Sequence, residues 1–195
     1  EVVTGFRFAY GGAQEYYGVI PDICTLGKAV AGGFPLTAVA GKSDLMNHFD
    51  SDRVVQEDFM PRMGTLSGNP VACAAGLAVL EILRRPGAYE KMFEIGKELM
   101  TGLQEAFDQA KVPAKVIGEP VLFDVFFTRE EIYDYRTSIR CDREMLKRFN
   151  SLMLANGILK GASKFYFSTE HSQSDIQATI KSFQSASGRL AEEQF

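Results

Sequence analysis

The 195-residue sequence lacks several features that would assign it to a particular class of protein. No apolar run approaches the length of about 20 residues that a helix needs to cross a bilayer. Lysine and arginine together number 21 against 25 aspartates and glutamates, which gives a net charge of −4. No basic stretch is long enough to indicate binding of nucleic acid or of an anionic membrane.

Cysteine and histidine are also scarce. Cys24, Cys73 and Cys141 are odd in number, widely spaced and without a CxxC pair. They indicate reduced thiols rather than a disulfide framework or a zinc site, and we therefore expect a cytoplasmic protein. His48 and His171 lie too far apart for metal-ligand spacing, so no metal site is expected. No Gly-x-Ser-x-Gly motif occurs, and a serine hydrolase is not supported.

The sequence does contain a lysine with very small neighbours. The short apolar run at residues 23–26 leads to Lys28, which follows a glycine and precedes a run of small residues: Ala29, Ala31, Gly32 and Gly33. Glycine allows the backbone to approach a bound group closely. A lysine in such surroundings suggests an amine that attacks a carbonyl carbon. The alternative is an ordinary surface lysine in a glycine-rich turn.

Three ordered blocks extend this pattern. They are Asp22-Ile-Cys-Thr-Leu-Gly-Lys28, followed by Ala-Gly-Gly-Phe-Pro, then Glu1-Val-Val-Thr-Gly-Phe-Arg7 and Gly64-Thr-Leu-Ser-Gly-Asn-Pro70. Together they resemble class III pyridoxal-phosphate aminotransferases, and most of all the glutamate-1-semialdehyde aminomutase subgroup. The resemblance covers essentially the whole chain, with lower specificity after the third block.

The resemblance implies an α/β fold, that of the fold-type-I pyridoxal-phosphate transferases. Residues 1–111 would form the C-terminal part of the large cofactor-binding domain, and residues 112–195 a small α+β domain. In the resembled family an aspartate precedes the position of Glu1 and pairs with the pyridine nitrogen of the cofactor. We therefore expect the chain to be the C-terminal portion of a longer polypeptide and to be inactive alone.

The same resemblance implies roles for individual residues. Lys28 would hold pyridoxal 5'-phosphate as a Schiff base and carry a proton during the reaction. Val2 would pack on the cofactor ring, the alternative being that Val2 is ordinary strand core. Gly64 and Thr65 would bind the cofactor phosphate across the interface of a homodimer. Alternatively, Thr65 and the nearby Ser67 merely cap the turn before a helix.

One departure from the subgroup affects the expected reaction. Aminomutases carry a Phe-Glu-Ala-Gly-Phe stretch whose glutamate belongs to the active site, whereas this chain reads Ser163-Lys-Phe-Tyr-Phe-Ser168. We therefore expect a transaminase that moves an amino group between an amino acid or amine and a keto acid. An aminomutase and a non-catalytic assembly module remain the alternatives. A Schiff-base aldolase would need the strand–helix repeats of a barrel, which the sequence does not contain.

Periodicity and capping signals predict the secondary structure. Strands are expected near residues 1–7, 23–26, 36–40, 115–117, 121–127 and 165–168. Helices are expected at 42–48 with Ser43 as N-cap, 70–85, 89–111, 142–155 and after the capping box Ser172–Asp175. Loops are expected at 8–20 and 49–63. The helix at 89–111 places Met92, Leu99, Leu103 and Phe107 on one apolar stripe, which indicates core.

Overall fold

The computed structural model describes residues 1–62 and 64–193. The α-helices are α1 (Gly12–Tyr17), α2 (Ser43–Met46), α3 (Pro70–Leu83), α4 (Ala88–Ala110), α5 (Tyr135–Ser138), α6 (Arg143–Ala155) and α7 (Gln173–Glu193). Short 3-10 helices span Lys28–Ala31 and Asn47–Phe49. The strands are β1 (Ile23–Leu26), β2 (Ala38–Gly41), β3 (Lys115–Glu119) and β4 (Leu122–Phe126).

Two compact units make up the chain, residues 1–89 and residues 90–195. The domain division that we expect after residue 111 stays a prediction. In the ranges 1–62 and 64–193, none of the helices combines the length and the apolar character that would let it cross a membrane.

The first unit contains an antiparallel pair of strands. β1 pairs with β2 from Ile23 opposite Gly41 to Leu26 opposite Ala38. The strands expected at 23–26 and 36–40 are therefore present, and they pair with each other in the antiparallel direction. Ile23 is 44% exposed. Residues 27–37 are too short a connection for a parallel crossover, whereas they suffice for an antiparallel one.

The start of the chain folds differently from its prediction. Residues 1–7 form turns rather than a strand, because the amide of Gly5 donates to the carbonyl of Glu1 at 2.8 Å and Phe6 has a positive φ of 60°. α1 lies within residues 8–20, where a loop is expected, and ends at Gly18 in the left-handed conformation. The apolar start of this segment therefore does not become part of a sheet.

Helix α3 begins as its sequence predicts. Asn69 is the N-cap and accepts the amide of Ala72 at 2.9 Å, and Pro70 occupies the first helical position. Helix α2 follows its prediction less well, since Lys42 rather than Ser43 is the N-cap and no side chain caps the helix. The loop expected at 49–63 consists of turns over its described part, and residue 63 lies outside the described residues.

The second unit has one core between the β3–β4 sheet and helices α4, α6 and α7. The stripe predicted on α4 is confirmed, since Met92, Leu99, Leu103 and Phe107 are all buried. β3 pairs antiparallel with β4. The rings of Phe107, Phe127 and Phe149 contact one another with centroids 5.4–5.9 Å apart. Aromatic contacts of this kind strengthen the core beyond the burial of apolar area.

The ends of the later helices follow local signals. α6 ends before Gly157, whose φ of 82° suits glycine. The predicted capping box before α7 is confirmed, because the amide of Ser172 donates to Asp175 Oδ2 at 2.8 Å and the amide of Asp175 to Ser172 Oγ at 3.3 Å. The prediction of an aromatic strand at residues 165–168 is wrong. The amide of Phe165 donates to the carbonyl of Phe123 at 2.8 Å, but Lys164 has a φ of 72°, which breaks the extended backbone.

Candidate functional site

Lys28 lies directly beyond the end of β1. Its predecessor Gly27 is buried and extended, and Lys28 itself begins the 3-10 helix at residues 28–31 with a φ of 48°. A non-glycine residue in the left-handed region is uncommon and costs about 1–3 kcal/mol, so the surrounding structure must impose it. Backbone strain of this kind concentrates at functional sites.

The 3-10 helix that carries Lys28 rests on helix α3. Val30 and Ala31 are buried, with exposures of 6% and 0%. A Cβ atom built on Gly76 of α3 would lie 2.9 Å from Leu36 Cδ2 and 3.4 Å from the carbonyl oxygen of Val30. The backbone of residues 30–31 therefore packs closely against α3. The side chain of Lys28 is exposed, and within residues 1–62 and 64–193 it has no ion-pair or hydrogen-bond partner.

The structure brings Val2 to the loop of Lys28. A Cβ atom built on Gly27 would lie 3.7 Å from Val2 Cγ1 and 3.6 Å from Thr37 Cγ2. Val2 is 41% exposed. The apolar methyl groups of Val2 therefore form one wall beside the backbone that precedes the lysine.

Gly64 and Thr65 lie in the loop that leads into α3. The amide of Ser67 donates to the carbonyl of Gly64 at 3.0 Å, and the side-chain amide of Asn69 donates to the carbonyl of Pro35 at 3.5 Å. The second bond links this loop to the segment that follows Lys28. Among the described residues, no hydrogen bond or ion pair joins Gly64 or Thr65 to Lys28 itself.

Glu1 has a structural role that the sequence analysis missed. Its carboxylate accepts the hydroxyl of Thr4 at 2.5 Å, the amide of Gln14 at 2.8 Å and the amide of Ala13 at 3.2 Å. Burial alone would raise the pKa of the Glu1 carboxyl, but these hydrogen bonds together hold that pKa below its ordinary value. No local pattern reveals this role, because Ala13 and Gln14 are distant in sequence.

The remaining polar candidates have structural contacts. His48 Nδ1 lies 2.9 Å from the carbonyl oxygen of Asp58, and His171 Nδ1 accepts the amide of Ser168 at 3.0 Å. Each ring therefore stabilises a turn. Among the described residues, no group of histidines, cysteines and carboxylates is arranged to hold a metal ion.

The residues around Lys28 fit a group with an aldehyde, a flat ring and a phosphate. The amine of Lys28 is exposed and free to bond to an aldehyde carbon. Gly27 leaves the space where a Cβ would otherwise stand between Val2 and Thr37, and Val2 offers methyl groups to a ring. Gly64 and Thr65 are exposed and offer an amide and a hydroxyl. The donor set therefore agrees with pyridoxal phosphate, as the sequence motifs imply.

Comparisons with known proteins agree with this chemistry. Residues 1–165 match the family model of class III aminotransferases. The glutamate-1-semialdehyde 2,1-aminomutase of Methanosphaera stadtmanae is 37% identical over 194 residues, which cover 97% of this chain and 44% of that enzyme. An omega-transaminase from Sphaerobacter thermophilus has a TM-score of 0.87 and 30% identity, over 98% of this chain and 43% of that one.

A further solved structure, a transaminase with pyridoxal phosphate bound, has a TM-score of 0.85 and 28% identity. The match covers 99% of this chain and 44% of the other. The chain thus spans less than half the length of the relatives that it matches.

Proposed function

The chain belongs to the class III aminotransferases, and we propose that the complete protein is a pyridoxal-phosphate-dependent transaminase. It moves an amino group between an amino acid or amine and a keto acid. The observation that carries this proposal is the position of Lys28, an exposed amine that follows buried Gly27 and begins, on a strained backbone, the 3-10 helix that packs on α3. When bound, pyridoxal phosphate supplies an aldehyde that takes up the amino group and a ring that accepts electrons.

Lys28 is the catalytic residue in this proposal. Its Nζ would hold the cofactor through the aldehyde carbon, and as a free amine it would take up the proton that leaves the substrate carbon and give it back. Both tasks need the amine to be held in one place. The packing of the 3-10 helix against α3 supports this. Val2 would offer its methyl groups to one side of the ring.

Gly64 and Thr65 bind the cofactor phosphate. An exposed glycine amide and an adjacent hydroxyl suit phosphate oxygens, and no hydrogen bond or ion pair joins these residues to Lys28 in the part of the chain that the structure describes. We place the contact across the interface of a homodimer, because a symmetric pair of sites can exchange such loops.

The three cysteines are free, which supports a cytoplasmic location.

An aminomutase is the second candidate, favoured by the 37% identity to the enzyme of Methanosphaera stadtmanae. The aminomutase glutamate has no counterpart in residues 163–168, where this chain has lysine, phenylalanine and tyrosine. The transaminase is therefore the better proposal.

One pair of assays separates the candidates. The complete protein, loaded with pyridoxal phosphate, is assayed for amino-group transfer from amines and amino acids to a keto acid. It is assayed in parallel for conversion of glutamate-1-semialdehyde. We expect transfer that depends on the keto acid and little conversion of the semialdehyde. Conversion without a keto acid would favour the aminomutase, and failure to bind the cofactor would favour a non-catalytic assembly module.

A further inference from the structure

We propose that Glu1 is a positioning residue for the Lys28 site, which it serves by fixing the turn that carries Val2. The inference deepens the proposed function and rests on it where the cofactor is concerned. The carboxylate of Glu1 does not need to touch the cofactor. It acts through the backbone of residues 1–5 and through the contact of Val2 with Gly27.

The carboxylate joins two segments that are remote in sequence. Oε1 accepts the amide of Gln14, and Oε2 accepts the amide of Ala13 and the hydroxyl of Thr4. Bonds from backbone amides to an ionised carboxylate are stronger than bonds between neutral groups. The first turn of α1 and the turn at residues 1–5 are thus held to the same side chain.

Glycine at two positions makes room for this arrangement. A Cβ atom on Gly12 would lie 2.7 Å from Oε1 of Glu1, and the φ of Gly12 is +81°. A Cβ atom on Gly5 would lie 2.6 Å from the carbonyl oxygen of Glu1 and 3.0 Å from Leu26 Cδ2. The start of α1 is therefore in close contact with the Glu1 carboxylate, and the turn at residues 1–5 is in close contact with the last residue of β1.

The contacts at Leu26 and Gly27 connect Glu1 to the lysine. Leu26 and Gly27 directly precede the backbone kink at Lys28. In the turn at residues 1–5, Gly5 lies against Leu26 and Val2 lies against Gly27. Loss of the carboxylate bonds would free the turn and, with it, the support on one side of the loop. Glu15 provides a comparison, since its Oε2 accepts the amide of Gly11 at 2.5 Å and, among the described residues, no hydrogen bond of its carboxylate reaches residues 1–5.

The test compares Glu1→Gln with Glu15→Gln in the complete protein without cofactor. Each substitution removes a charge at the start of α1 and keeps the side-chain shape. Backbone amide exchange is measured by mass spectrometry. We expect Glu1→Gln to speed exchange about tenfold both at residues 12–15 and at Val30, whose amide donates to the carbonyl of Gly27 at 3.2 Å. Glu15→Gln should affect residues 11–15 alone, because its carboxylate accepts the amide of Gly11.

Unchanged exchange at Val30 in Glu1→Gln would overturn the inference, and so would equal effects of the two substitutions there. The dissociation constant for pyridoxal phosphate gives the second readout. We expect it to rise about tenfold in Glu1→Gln, which corresponds to roughly 1.4 kcal/mol, and to stay unchanged in Glu15→Gln. If the unsubstituted protein binds no cofactor, the proposed function fails. The role of Glu1 in holding the Lys28 loop is then still decided by the exchange data.

Discussion

The ammonium nitrogen of Lys160 lies 3.3 Å from Oδ1 of Asp124 in the second unit, and the two side chains are 0% and 13% exposed. The ammonium also lies 4.9 Å from the centre of the Phe165 ring. Burial lowers the pKa of Lys160, although the nearby Asp124 carboxylate opposes that shift. This ion pair links Lys160, in the irregular segment after α6, to Asp124 on strand β4.

Removing one member of this pair should destabilise the second unit strongly. We expect Lys160→Met to lower the free energy of unfolding by about 3–5 kcal/mol, because it leaves the Asp124 charge buried without its partner. The combined change Lys160→Met and Asp124→Leu should recover most of the loss. Urea unfolding measures both. Lys181→Met, on the exposed side of α7, is the control and should change stability by less than about 0.5 kcal/mol.

Two glycines in helices should respond in opposite directions to alanine. A Cβ atom on Gly96 of α4 would lie 1.8 Å from the carbonyl oxygen of Pro120, whereas a Cβ atom on Gly188 of α7 would meet nothing within 4 Å. We expect Gly96→Ala to destabilise the protein by about 3 kcal/mol or more through this backbone clash. Gly188→Ala should stabilise it by about 0.5–1 kcal/mol through helix propensity. Equal thermal unfolding midpoints for the two variants would contradict this packing.

Tyr89 should make the first unit less stable at alkaline pH. Burial, with smaller contributions from Glu15 and Tyr10, raises the pKa of Tyr89 to about 12 from an ordinary value of 10.0. Below pH 10 the phenol is protonated in both the folded and the unfolded state, and the stabilisation that comes from its raised pKa is fully present. Between about pH 10 and 12 the unfolded chain ionises first, so stability is lost as the pH rises.

The substitution Tyr89→Phe removes this contribution. We expect the unfolding free energy of Tyr89→Phe to fall less steeply above about pH 10 than that of the unsubstituted protein. The hydroxyl of Tyr89 also donates to the carbonyl of Phe6 at 3.4 Å, so the variant should be slightly less stable at neutral pH. Identical pH dependence in the two proteins would show that Tyr89 is not responsible.

Mixed dimers test whether Thr65 acts on the neighbouring subunit. Lys28→Ala and Thr65→Ala should each be nearly inactive as pure proteins. If the phosphate contact is made in trans, a dimer with one copy of each has one site with both residues intact. An equal mixture should then regain roughly a quarter of the full activity.

A contact within one chain would give no recovery in that mixture, because neither site would hold both residues. Ser67→Ala is the matched control. If Thr65 and Ser67 only cap the turn before α3, the Ser67 and Thr65 variants should weaken cofactor binding equally. We expect Ser67→Ala to bind pyridoxal phosphate almost normally.

Features with local causes could be predicted from the sequence. The start of α3 follows from Asn69 and Pro70, and the start of α7 from the box between Ser172 and Asp175. The apolar stripe of α4 is set by helical spacing alone. The role of Lys28 is predicted from a motif in which small residues follow an apolar strand, and it stays a prediction.

Features with distant causes could not be predicted. The turn at residues 1–7 looks like a strand in sequence, and it depends on hydrogen bonds from Ala13 and Gln14 to Glu1. The partner of Lys160 is Asp124, which lies on another element. None of these relationships leaves a periodic or short-range pattern.

The most direct test of the account is the covalent attachment of pyridoxal phosphate to one lysine. The complete protein is saturated with the cofactor, reduced with borohydride and digested, and the modified peptide is identified by mass spectrometry. We predict modification of Lys28, its loss in Lys28→Ala, and its retention in Lys42→Ala, whose ammonium pairs with Asp22 at 2.5 Å. Modification at another lysine, or full transamination by Lys28→Ala, would contradict the account.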